Sequence, residues 1–72
     1  MRYVLARASE LAPDQYVTAR ELAADLYGHA TAGQQVAVRE AINRLADRGE
    51  ITAEYVVRAG RLVLAIRGSR GP

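Results

Sequence analysis

The chain has no cysteine, no tryptophan, no phenylalanine and no lysine, and only one histidine among its 72 residues. Without cysteine there is neither a disulfide framework nor a thiolate metal site, and one histidine alone cannot build a zinc site or a histidine-based triad. No glycine motif for a nucleotide and no nucleophile paired with a base stands out. The expectation is therefore a non-enzyme with no catalytic residue, no metal, no cofactor and no evident small-molecule ligand. No apolar run approaches the ~20 residues of a membrane span, and nothing reads as a signal peptide. A cytoplasmic protein of bacterial type, without a membrane partner, is the default.

Half of the residues are apolar and a quarter are charged, which places the chain among globular domains rather than disordered tails. Its length allows one domain with a small core, because so short a chain buries only ~60% of the surface its unfolded form exposes. The net charge is only +2, but all ten basic residues are arginine, a planar fork suited to phosphate and guanine. Arginine, alanine and glycine without lysine point to a GC-rich genome.

Along the chain, Val4, Leu5, Ala8, Leu11 and Ala12 recur at helical spacing until Pro13, which cannot continue the hydrogen-bond ladder. Asp14 to Val17 reads as a short extended link. Thr18 and Glu21 then form a capping-box pattern, with Val17 placed to staple onto Leu22. A second helix is expected from residue 19, with Ala19, Leu22, Ala23 and Leu26 inward and Gly28 as its stop. Thr31 and Gln34 repeat the capping pattern, weakened by Gly33 in the first turn. The third helix is placed at about residues 32 to 48, burying Val38, Ala41, Ile42 and Leu45, with Gly49 in the left-handed conformation.

From Ile51 the pattern turns from helical to alternating. A tight turn at Ala59-Gly60 sets Val57 opposite Leu62, Tyr55 opposite Leu64 and Ala53 opposite Ile66, which makes one face of a hairpin wholly apolar. Glu54, Val56, Arg58, Arg61, Val63 and Ala65 make the mixed outer face. Residues 1 to 67 are read as the single domain and 68 to 72 as a disordered tail.

Arg20-Glu21-Leu22-Ala23, then Val38-Arg39-Glu40-Ala41-Ile42-Asn43-Arg44-Leu45 and Gly49-Glu50-Ile51, resemble the DNA-binding domain of GntR-type regulators. They also resemble small proteins of this fold in high-GC bacteria, plasmids and phages. The resemblance implies an α+β winged helix-turn-helix, three helices with a C-terminal hairpin wing, that binds double-stranded DNA. By motif match it implicates Arg20 and Arg39 as DNA contacts. Val36 and Ala37 stand where that family reads bases with small hydroxyl side chains, and a valine there meets a thymine methyl.

The residues themselves add further candidates. Gln35 lies just off the buried stripe, Asn43 suits an adenine edge, and Arg44 either faces DNA or pairs with Glu40 one turn earlier. Arg58 and Arg61 flank the hairpin turn and suit phosphates or a minor-groove edge. Glu40 and Asp47 argue against insertion of the whole third helix, leaving its N-terminal half to enter a groove. The expected roles are a small repressor, a recombination accessory factor or a plasmid control protein, with a homodimer left open. The alternative is a protein-interaction module that uses the acidic residues of the third helix together with Val56, Val63 and Ala65.

Overall fold

A computed structural model describes residues 2–68 and contains six elements: α1 Arg2–Glu10, β1 Tyr16–Thr18, α2 Ala19–Tyr27, α3 Ala32–Asp47, β2 Thr52–Arg58 and β3 Arg61–Arg67. The architecture is α+β, with three helices and a three-stranded antiparallel sheet ordered β1-β3-β2. The helices α1, α2 and α3 bury their inner stripes against one face of the sheet. Val4, Ala8, Leu22, Ala23, Val38, Ile42 and Leu45 meet Val17, Ile51, Leu64 and Ile66 in one core.

Local chemistry sets most of the boundaries. Thr18 caps α2 by accepting from the Glu21 N–H at 3.1 Å, and Val17 and Leu22 are both buried, as the staple requires. The reciprocal half of that box differs from expectation. The Glu21 carboxylate accepts a hydrogen bond from the Thr18 hydroxyl at 3.0 Å instead of reaching a backbone N–H. The pattern read as weaker, Thr31 with Gln34, forms the complete box. Gly28 ends α2 at φ 81° and Gly49 follows α3 at φ 75°, both in the left-handed region.

Three expectations about burial are corrected. Leu26, read as part of the inner stripe of α2, is exposed, because α2 has only nine residues and its last turn projects beyond the core. Ala65, read as outward, is fully buried: β3 is the central strand, and Ala65 sits between Thr18 of β1 and Glu54 of β2. That outer face is closed by polar side chains. The Tyr16 hydroxyl donates to Glu54 at 2.9 Å, and Arg67 contacts the other Glu54 oxygen at 3.5 Å while donating to the Pro13 carbonyl at 2.7 Å. The Glu54 hydrogen bond, with burial adding to it, raises the Tyr16 pKa above that of free tyrosine.

The third correction concerns the hairpin. Its register is as expected at every pair from Ala53↔Ile66 to Arg58↔Arg61. The apolar face is continuous, but only its lower part is covered. Leu64 and Ile66 are 7% and 0% exposed, whereas Tyr55, Val57 and Leu62 are 69%, 62% and 70% exposed. The hairpin is longer than the helical layer beneath it.

Gly68, assigned to a disordered tail, is buried and donates its N–H to the Gln15 carbonyl at 2.9 Å. Residues 69–72 lie outside the described residues.

The turn contains one strained residue. Ala59 has φ 53° and Gly60 has φ 74°, the two positive values that a two-residue hairpin turn demands. A Cβ in that region costs about 1–2 kcal/mol, and asparagine tolerates it far better than alanine. Ala59→Asn is expected to stabilise the fold by about 0.5–1 kcal/mol, read as a higher denaturation midpoint with an unchanged slope.

Candidate functional site

The hairpin leans past the helices and leaves a cleft between itself, the start of α2 and the N-terminal half of α3. The cleft holds about 420 Å³ and is lined in part by Arg20 and Glu21 of α2, Gln35 and Arg39 of α3, and Tyr55, Arg58, Arg61 and Leu62 of the hairpin. Five residues proposed as contacts from the sequence, Arg20, Gln35, Arg39, Arg58 and Arg61, thus come together from two helices and both strands of the hairpin. Four arginines face one carboxylate there, so the cleft is strongly positive although the chain as a whole is nearly neutral.

The arginines of the molecule divide by partner. Arg7, Arg48 and Arg67 form ion pairs with Glu10, Glu50 and Glu54. Arg58 donates to the Val57 carbonyl at 3.2 Å. Arg20, Arg39 and Arg61 have no hydrogen-bond or ion-pair partner among the described residues. An unpaired guanidinium keeps all its donors available, and these three converge on one concavity from both of its walls. Gln35 is partly committed, its side-chain N–H donating to the Ala30 carbonyl at 3.1 Å.

The other candidates lie elsewhere on α3. Val36, Ala37 and Asn43 are exposed but do not line the cleft. Arg44 is separated from Arg39 by five residues, about 140° around a helix of 3.6 residues per turn, and so points away from it. It lines a separate shallow depression with Ala41, Leu45 and Arg48. Among the described residues Arg44 forms no ion pair with Glu40.

Tyr55 and Leu62 are two of the cleft residues that were not proposed from the sequence. Their alternation with Leu64 and Ile66 placed them on the wholly apolar face of the hairpin. The available signal was length: the apolar face of the hairpin has more positions than a three-helix layer can cover.

Among the described residues no group of three or more His, Asp or Glu side chains could hold a metal ion. No described helix is long and apolar enough to cross a membrane. In comparison with known proteins, no family model, no curated protein and no solved structure matches the chain.

Proposed function

We propose that the chain is a winged helix-turn-helix domain that binds double-stranded DNA through this cleft and the adjoining end of α3. What supports the fold reading is the element order, helix, strand, two helices and a hairpin, together with β1 adding to the hairpin at β3. In that geometry α3 is the helix offered to the major groove and the hairpin is the wing beside it. The observation that carries the functional reading is the convergence of Arg20, Arg39 and Arg61, unpaired, on one positive concavity. A duplex backbone presents regularly spaced phosphates, and arginines that meet them from two walls set the register of the protein on the helix.

Base contact then falls to the exposed N-terminal half of α3, where Val36 lies within a turn of Arg39, while Ala37, about 160° around the helix from Arg39, is on the Arg44 side. Glu40 and Asp47 keep the rest of the helix from lying deep in the groove. Asn43 and Arg44 are peripheral in this arrangement, and Arg58 is a fourth phosphate ligand only if it gives up the Val57 carbonyl. Regulation of transcription or of recombination is the role such a module performs.

A titration against duplex DNA at several salt concentrations tests the reading. Three phosphate contacts give a log–log salt slope of about −2.7, and four give about −3.6. An affinity that does not depend on salt, or no binding at low salt, would overturn it.

A second reading, a protein-binding module, draws on the exposed apolar residues of the hairpin. Its surface differs from the one expected from the sequence, since Ala65 is buried and the apolar groups on offer are Tyr55, Val57 and Leu62.

A further inference from the structure

Strand β2 is one edge of the sheet, and of the features that usually keep an edge from pairing it has only the charges of Glu54 and Arg58. Its seven residues, Thr52-Ala53-Glu54-Tyr55-Val56-Val57-Arg58, include no proline and no lysine, and four of them are β-branched or aromatic. The two-residue turn makes Arg58↔Arg61 a hydrogen-bonded pair. Antiparallel alternation then aims the backbone groups of Thr52, Glu54, Val56 and Arg58 at β3, and those of Ala53, Tyr55 and Val57 outward. The Val57 carbonyl behaves accordingly: it accepts from the Arg58 guanidinium at 3.2 Å, a side chain covering a group that the sheet leaves unpaired. The same strand carries Tyr55 and Val57, both more than half exposed. The free edge and the uncovered apolar face coincide.

We propose that this edge joins two copies of the chain, with β2 pairing antiparallel to β2 of the second copy about a two-fold axis at Val56. Charge selects both the occupant and the register. Centred on Val56, the pairing sets Glu54 of each copy opposite Arg58 of the other, two matched pairs from one strand in which the Glu54 carboxylate, already accepting from Tyr16 and Arg67, takes the guanidinium on its remaining lone pairs. Centred on Tyr55, it sets Glu54 opposite Val56 and brings the two Glu54 carboxylates into diagonal proximity. In the first register Tyr55 and Val57 of opposite copies become hydrogen-bonded partners through groups that already point outward; the second register uses outward groups equally well, so charge decides between them. Arg58 exchanges the Val57 carbonyl for Glu54 of the second copy, which frees that carbonyl for the new ladder. On the other face of the joined sheets, Tyr55 and Val57 of both copies meet beside Leu62, so apolar area left open in one chain is buried by two. Arg20, Arg39 and Arg61 take no part in this contact and stay available in each copy.

Sedimentation equilibrium of the DNA-free protein from about 1 µM to about 1 mM reads the association directly. The expected result is a mass that rises from one chain to two. Val57→Lys, which sets two ammonium groups beside the joint, and Val57→Pro, which removes only an outward N–H, should both hold the mass at one chain with an unchanged circular dichroism spectrum. Hydrogen exchange of the parent protein needs no variant. The Tyr55 and Val57 amides should gain about tenfold protection with concentration, while the Val56 amide is protected throughout. A single-chain mass at every concentration would overturn the proposal. So would a dimer that survives Val57→Lys, or one in which the Tyr55 and Val57 amides stay unprotected. Because no DNA is present, these outcomes are independent of the DNA reading.

Discussion

Leu64→Ala will lower the unfolding free energy by roughly 2–5 kcal/mol, whereas Leu62→Ala, on the same face of the same strand, will change it by less than about 0.5 kcal/mol. Leu64 is 7% exposed and belongs to the core with Val17, Leu22 and Ile66, so truncation removes buried methyl groups and leaves a cavity. Leu62 is 70% exposed and has little packing to lose. A chain of this length has a total stability of roughly 4–11 kcal/mol, so the first substitution takes a large part of it. Urea denaturation at low protein concentration, where self-association is negligible, measures both. Equal losses would mean that the helical layer covers the hairpin further than the structure places it.

Arg20→Ala/Arg61→Ala is expected to flatten the salt slope of duplex binding by nearly two units and to weaken binding roughly 60-fold at 0.1 M salt. The two guanidinium groups come from opposite walls of the cleft and neither has a partner among the described residues. Their removal therefore costs ligand contacts and leaves the fold untouched, which an unchanged denaturation midpoint confirms. The loss should be similar for different duplex sequences, because phosphates carry no sequence information. Arg44→Ala, the comparison at a residue facing away, should leave the slope unchanged. If Arg44→Ala reduced it as much as the double variant, the contact surface would lie on the far side of α3.

The candidate site was legible in part. Arg20 and Arg39 were implicated by the family resemblance of the segments around them, and Arg58 and Arg61 by their positions beside Ala59-Gly60, a feature that depends only on residues close in the chain. That Arg20, Arg39 and Arg61 share one concavity while Arg44 does not depends on how α2, α3 and the hairpin are packed. The local pattern around Arg44 looks no different from that around Arg39.

The limits of α2 and α3, the positive-φ turn and the strand register were determined by the sequence alone, since caps, glycines and two-residue alternation act over a few neighbours: Thr18, Thr31, Gly28, Gly49 and Ala59-Gly60 do what their side chains and backbone freedom require, whereas α1, read as running to Pro13, ends at Glu10. Only the tertiary structure decided how far the core extends. Tyr55, Val57, Leu62, Leu64 and Ile66 follow one alternating pattern, yet only the last two lie over the helices, and Ala65 is buried because β1 and β2 flank it on both sides. Burial is a property of what lies across from a residue, and a strand's own pattern specifies which face it offers but not how much of that face another element will cover.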